Sequence, residues 1–337
     1  MAWRSWMSDS TVGGTGSWPG KFVKRKPAGR GPVRGPFRRQ SISPGIGGSK
    51  LARMKSPVMK LQIDALRDAG NARRNDAIAV EEPLEIRLMR DGLPEADENG
   101  GTGRSISVTM RTPGHDPELA VGFLHGEGVL REPRDVISTG HCGLDGNILR
   151  VTARHDLPLD LARLARNFYS SSSCGVCGKA SIEAVTASAG GRRITSGLVV
   201  RESVLRRLPD KLRAAQAGFA ETGGMHAVGL FDVHGELIAC REDVGRHNAM
   251  DKLVGAALLA GELPWSERIL LLSGRASFEL LQKAMMAGAP VVAAIGAPST
   301  LAVELADAAG ITLVAFLRAG GCNVYTHAAR VRPQALA

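Results

Sequence analysis

The stretch RILLLSGRASFELLQKAMMAGAPVVAAIGAPSTLAVELADAAGITLVAF (268–316) decides the fold class. Short, continuous apolar runs alternate in it with longer segments of helical period. RILLLS (268–273), PVVAAIG (290–296) and ITLVAF (311–316) suit strands buried on both faces. FELLQKAMMAG (278–288) and LAVELADAAG (301–310) suit helices that stop at a glycine. A β-α-β-α-β order with short links predicts a parallel sheet sandwiched by helices.

Upstream, MHAVGLFD and ELIACRED predict two strands joined at Val233-His234-Gly235. RHNAMDKLVGAALLAG predicts a helix ended by Gly261. Further back, EEPLEIRLM (81–89) and SISVTM (105–110) alternate as half-buried strands do. The 91–104 segment between them predicts a long, ragged loop. In TPGHDPELAVGFLHGEGVL, Asp116 suits an N-cap and Pro117 the first helical position, with the helix ending near Glu127. NILRVTA (147–153) predicts a strand. LDLARLARNFYS (159–170) and GKASIEAVTAS (178–188) predict helices on either side of a cysteine loop. The predicted class is α/β, with a smaller α+β N-terminal part and a mainly parallel C-terminal sheet. The expected division is 1–73 disordered basic tail, 74–170 N-terminal part, 171–190 CxxC loop and following helix, 191–330 C-terminal cofactor-binding domain, and 331–337 tail.

The chain has 337 residues and a formal charge of +10. Residues 1–60 hold 13 Lys or Arg against one acid, Asp9; the rest holds 30 basic and 32 acidic side chains. Basicity is thus a property of a Gly- and Pro-rich tail, which lacks the apolar surface to fold. Nucleic-acid binding is not expected of the folded part. No apolar run approaches the ~18 residues of a membrane span. Five scattered cysteines suit a reducing compartment rather than a disulfide scaffold. A cytoplasmic protein is expected.

In an open α/β sheet, ligands settle outside the carboxyl ends of the strands. Three turns fall there: Ser273-Gly274-Arg275-Ala276-Ser277, Gly296-Ala297-Pro298-Ser299 and Arg318-Ala319-Gly320-Gly321. Any one suits a tight connection that needs small residues. Together, with helix N-termini and the charges of Arg275 and Arg318, they favour a phosphate-bearing ligand.

SSSCGVCG (171–178) poses the chemical question. A structural zinc site wants a second cysteine pair, and Cys142, Cys240 and Cys322 supply none. The zinc deaminase pattern is mimicked by His125, Glu127, Cys174 and Cys177, but Ser173 stands where that pattern has proline. A thioredoxin-type pair would follow a strand, not a helix and a serine run. The segment is too polar for two inert core thiols. A nucleophilic thiolate remains, its pKa lowered by an adjacent helix N-terminus and Lys179. A sulfane sulfur carrier needs such a group. REDVGRHNAMD (241–251) adds Asp243, His247 and Asp251 at i, i+4, i+8, which predicts that they share one helix face. A capped helix with a satisfied histidine would account for it; so dense a charge cluster favours an acid/base or dimer-interface role. His226 follows Thr222-Gly223-Gly224-Met225 and is a candidate to face a cofactor.

RNFYSSSSCGVCGKASIEAV, TMRTPGHDPELAVGFLHGEG, REDVGRHNAMDKLVG, LLLSGRASFELLQKA, APSTLAVELA and NVYTH together resemble the FdhD family of formate dehydrogenase accessory sulfurtransferases. The resemblance runs in order from about residue 80 to about 328. It implies transfer of sulfur, held as a cysteine persulfide, from a cysteine desulfurase to a molybdenum (or tungsten) bis-guanine-dinucleotide cofactor that formate dehydrogenase needs. It implies Cys174 as carrier and Cys177 as its second thiol. It implies a cytidine-deaminase-like three-layer C-terminal sandwich without deaminase chemistry, a homodimer, and no tightly bound metal. It places cofactor binding at Phe316, Leu317, Arg318, Ala319, Gly320 and Gly321, beside Ser273, Arg275 and His226.

Overall fold

The computed structural model describes residues 56–67, 70–92, 103–143, 145–158 and 193–333. The predicted helices at 159–170 and 178–188, and Cys174 and Cys177, lie outside the described residues. The N-terminal elements are β1 (Val58–Ala65), β2 (Ala72–Ala79), β3 (Glu82–Arg90), β4 (Arg104–Arg111), α1 (Asp116–Gly126), β5 (Val136–Cys142) and β6 (Ile148–Ala153). Then come β7 (Val200–Arg201), α2 (Glu202–Leu205), α3 (Leu208–Ala215), α4 (Ala217–Thr222), β8 (His226–Phe231), β9 (Leu237–Asp243) and α5 (Arg246–Ala260). The chain continues with β10 (Ile269–Leu272), α6 (Phe278–Met286), β11 (Val291–Ala294), α7 (Thr300–Ala309), β12 (Thr312–Arg318), β13 (Gly321–Val324) and β14 (Val331–Arg332). No helix among the described residues is long and apolar enough to cross a membrane.

The 268–316 stretch forms the centre of a six-stranded sheet in the order β13-β12-β11-β10-β8-β9. Its side chains alternate between two cores, as the two-residue period of a strand requires. Leu270, Leu272, Val292, Ala294, Leu313 and Ala315 pack against α5, α6 and α7. Ile269, Leu271, Val291, Ala293 and Val314 face the other way, against Val204, Leu205, Leu208 and Leu212 of α2 and α3. The result is three layers, helices on both faces of a sheet.

The expectation of a mainly parallel sheet needs correction. β10, β11 and β12 are parallel, but β8, β9 and β13 join antiparallel. Helical crossovers return a strand in the same direction, whereas the Asp232–Glu236 turn and the Ala319-Gly320 turn are too short to do so.

The N-terminal part is a four-stranded sheet, β4-β3-β6-β5, with α1 on it. β5 and α2 to α4 were not expected. VISTGHC alternates poorly, and α2 to α4 are too short to show a helical period. Two tail boundaries also move. β1, which lies within the 1–73 segment expected to be disordered, pairs in full register with β2, which crosses that boundary. Leu61 and Ile63 are half-buried, and Arg73 pairs with Asp64 across the ladder at 3.0 Å. A ladder satisfies backbone groups whatever the side chains carry, so the charged sequence ARRNDAIA still forms a strand. At the other end, Val331 and Arg332 pair with Val200 and Arg201.

The two main sheets meet where α1 crosses α5. The crossing has no side chain at its closest points. A methyl group at Gly122 would overlap the Asp251 carbonyl, and one at Gly255 would overlap the Glu118 carbonyl. Leu258 of α5 belongs to the N-terminal core, while Met250 and Leu253 of the same helix belong to the C-terminal one. Gly255→Ala is therefore expected to destabilise the chain by about 3 kcal/mol or more, the cost of overpacking a contact made by backbone. Gly197→Ala, where nothing lies within 4 Å of the new methyl, is expected to stay within ~0.5 kcal/mol of the parent. Urea unfolding of both variants checks this.

Candidate functional site

The carboxyl ends of β10, β11 and β12 bring the three small-residue turns together through backbone bonds. Gly296 N–H donates to Gly274 O at 2.8 Å, Ala276 N–H to Ala297 O at 3.1 Å, and Ser299 N–H to Ala276 O at 3.0 Å. Phe316 N–H donates to Gly296 O at 3.2 Å, which ties in the third turn. Gly296 is required here, because a methyl group would press on the Gly274 carbonyl and the Arg275 amide at 2.9 Å.

The remaining predicted residues line up along this edge. Ser273 Oγ accepts the Ala227 amide at 2.8 Å and so fixes the start of β8. His226 begins β8, and its ring packs on Gly274. Burial lowers its pKa, helped by the charge of Arg246. Arg246 Nε is buried without a hydrogen-bond partner. Arg275 is exposed. Arg318 donates to Ile295 O at 2.6 Å and Leu317 O at 2.9 Å. Arg206 donates to Ala319 O at 2.7 Å and steadies the Ala319-Gly320 turn. Phe316 is 44 % exposed and sits at φ 52, a left-handed conformation that a bulky residue holds only under constraint. Leu317 is fully buried. Its side chain belongs to the core beneath the edge, so only its backbone can belong to a binding loop.

Asp243 differs from its expected role. It ends β9 rather than sharing the helix with His247 and Asp251, and it is fully buried. It pairs with Lys252 at 2.7 Å, both side chains being almost inaccessible. It also accepts the amides of Thr112 at 3.0 Å and Gly245 at 2.8 Å, and Asn248 Nδ2 at 3.1 Å. Lys252 donates in addition to Thr112 O at 2.9 Å. Every partner is structural: Asp243 and Lys252 bolt the N-terminal part to the C-terminal sheet. Asp116, expected as an N-cap, is likewise diverted. His115 caps α1 from a left-handed conformation, and Asp116 is gripped by the Arg111 fork at 2.9 and 3.0 Å.

His247 lies in the first turn of α5. Its Nε2 is 3.3 Å from Ser277 Oγ and 3.4 Å from Glu279 Oε2. Behind Glu279, Lys283 is 3.7 Å from the other carboxylate oxygen and pairs with Asp251 at 2.8 Å. Burial pulls the pKa of His247 down to about 4 despite Glu279. Burial pushes that of Asp251 up, and the Asp251 charge beside it pushes Lys283 up. Glu279 was missed in the sequence, and Ser277 was read only as the end of a tight turn. Their contact with His247 bridges two helices, and no local spacing records it.

The zinc alternative fails on His125. The ring is buried, with Nδ1 2.8 Å from Leu130 O and Nε2 3.3 Å from Met286 O. Both nitrogens face carbonyl oxygens, so neither is directed at an open position where a metal could sit. Glu127 caps the end of α1. Among the described residues no group of three His, Cys, Asp or Glu side chains could hold a metal ion. Cys240 is no reactive thiol either: burial pushes its pKa up to about 12.

A three-layer α/β domain with an edge of interlocked glycine-containing turns, bolted to a smaller sheet-and-helix part, defines the class. The sequence model of the FdhD/NarQ family matches residues 81–332. The chain belongs to the FdhD/NarQ family. It is 48 % identical over 272 residues to the sulfur carrier protein FdhD of Mycobacterium tuberculosis, covering 77 % of this chain and 92 % of that one. It is 49 % identical over 274 residues to that of Streptomyces coelicolor, with 79 % and 93 % covered. The protein of the same name from Saccharolobus solfataricus is 37 % identical over 274 residues, with 81 % and 98 % covered. A crystal structure from Desulfotalea psychrophila, assigned as a formate dehydrogenase accessory protein, shares the fold. Its TM-score is 0.61 at 21 % identity, covering 82 % of this chain and all of that one.

His247 titrates near 6.5 when unfolded and near 4 when folded. The unfolded chain therefore binds the proton first as pH falls. The contribution of this group is full above pH ~6.5 and is lost as pH falls toward 4. Histidine side-chain NMR is expected to show His247 neutral from pH 8 down to 5, and the urea midpoint is expected to fall over pH 6.5 to 4.5.

Proposed function

We propose that this chain is a sulfur carrier for the maturation of formate dehydrogenase. It takes sulfur as a persulfide on Cys174 from a cysteine desulfurase. It delivers that sulfur to a molybdenum or tungsten bis-guanine-dinucleotide cofactor, which is its cargo rather than a resident group. The observation that carries the reading is the match to relatives named sulfur carrier proteins across almost their whole length, in a chain with a single CxxC pair.

In loading, the Cys174 thiolate attacks the outer sulfur of the donor persulfide. The donor S–S bond breaks, and its electron pair leaves on the donor cysteine thiolate, so the exchange needs no added oxidant. A sulfur carrier requires the thiolate form, and Gly175, Gly178 and Lys179 suit it. In delivery, attack of the Cys177 thiolate on the Cys174 sulfur releases the outer sulfur at the sulfide level to the cofactor, leaving a Cys174–Cys177 disulfide that a cellular dithiol reduces. The cargo's phosphates suit the interlocked turns: amides at two helix N-termini, with Arg275, Arg318 and the unsatisfied Arg246 Nε near the same edge. Phe316 offers an exposed ring for stacking a base. The three layers suit a deaminase-like domain that has kept the ligand edge without the zinc. The chain is proposed to act as a homodimer in the cytoplasm.

Guanosine diphosphate is the simplest probe of the edge. Calorimetry is expected to show binding that falls about 10-fold or more in Phe316→Ala, given the ~1–3 kcal/mol of a base–aromatic stack. Cys174→Ala is expected to bind the nucleotide like the parent yet fail to support formate dehydrogenase activity in cells. An active Cys174→Ala variant would mean a cofactor chaperone without sulfur chemistry.

A further inference from the structure

A cleft of about 300 Å³ lies between β4, α1 and the start of α5, and His247 joins it to Ser277 at the end of the first turn. Val108, Met110, Leu119 and Phe123 form its apolar walls, and His247 and Glu279 contribute its polar end. This volume is at the small end of ligand sites. The cleft is rich in acceptors. With Nε2–H directed at Glu279 and Ser277, His247 keeps a lone pair on Nδ1. The ammonium of Lys283 lies 2.8 Å from Asp251 and 3.7 Å from Glu279, so one positive charge stands against the two carboxylates that line the space. One negative charge remains, because burial keeps His247 neutral. Arg246, whose charge reaches both His226 and His247, is not among the lining residues.

Among the described residues, the cleft opens along a strand edge with no neighbouring strand. β4 is the outer strand of its sheet. All four consecutive residues Ser107–Met110 line the cleft, as happens when the opening runs along the strand rather than over one face. The Met110 carbonyl is taken from the free side by Asn248 Nδ2 at 2.7 Å. Met110 stands opposite Pro83, which has no N–H to exchange, and Val108 stands opposite Glu85 two residues on. By the two-residue period, the Val108 N–H and C=O point to the same free edge. Val108 is 63 % and Met110 48 % exposed. Edge strands are normally blunted by charge, proline or a bulge; the register of β4 shifts between Ser105 and Ser107, but Val108–Met110 beyond it is regular and carries no charge and no proline.

We propose that this edge is a docking site for an extended segment of a protein partner, which pairs with β4 at Val108 and places an arginine side chain in the cleft against Glu279. A guanidinium supplies donors to a carboxylate and an imidazole lone pair, and its methylene stem suits the apolar walls. A free small-molecule guanidine would leave the Val108–Met110 shelf uncovered, which favours a peptide. This proposal does not depend on sulfur chemistry, and Cys174→Ala is expected to bind the segment unchanged.

The test uses the full-length chain and a fluorescent probe peptide, acetyl-Val-Thr-Val-Arg-Val-Thr-Val-amide, read by anisotropy. Binding is expected, at least 10-fold weaker when citrulline replaces arginine and at least 10-fold weaker to Glu279→Gln. Val108→Lys, a surface change that spares the cleft floor, is expected to weaken binding similarly, and unchanged thermal unfolding of both variants verifies their fold. Equal binding of the citrulline peptide, undiminished binding to folded Glu279→Gln, or no binding up to 1 mM peptide would each overturn the proposal. Equal binding of free agmatine would overturn the peptide assignment.

Discussion

The structure depends on the crossing of α1 and α5 at Gly122 and Gly255. There the two helix backbones touch without intervening side chains. Only this approach allows Lys252, one turn along α5, to reach Thr112 O and Asp243 together. A buried ion pair of this kind is a weak source of net stability, since desolvation offsets most of the attraction. Its geometry is specific, however. A displaced α1 would leave Asp243 without the Thr112 amide and Lys252 without the Thr112 carbonyl. The pair thus selects one docking of the two parts.

That docking positions the edge formed by the three turns. Asp243 holds Gly245 and Asn248 at the entrance of α5. The entrance carries Arg246 and His247, and β9 holds His226 opposite Asp243. The two βα turns and the β12–β13 turn then need only glycine-scale clearance to interlock. Sheet, crossing and edge form one continuous argument from packing to site, and the candidate residues lie along its last step.

Much of this was legible in the sequence, for definable reasons. The buried parallel strands are continuous apolar runs, and α5 and α7 end at Gly261 and Gly310 in left-handed caps. Those signals are local. The hairpin of β1 and β2 was hidden because its strands carry charge that composition assigns to a solvated tail. Asp243 was misread because its sequence neighbours are charged while its spatial neighbours, Thr112 and Lys252, come from other elements. His247 was noticed, but Ser277 and Glu279 are about thirty residues away in sequence and one turn away in space. His125 and Glu127 mimicked a metal motif because HxE at a helix end is a short pattern; the carbonyls that occupy the ring become visible only once α1 meets Met286.

The central claim is that a cysteine of this chain carries sulfur. Peptide mass spectrometry tests it most directly: the purified chain is incubated with a cysteine desulfurase and cysteine, with and without reductant, and zinc is measured on the same sample. The account predicts a reducible gain of one sulfur atom on the peptide containing Cys174 and Cys177, without zinc. Stoichiometric zinc and no added sulfur would contradict it.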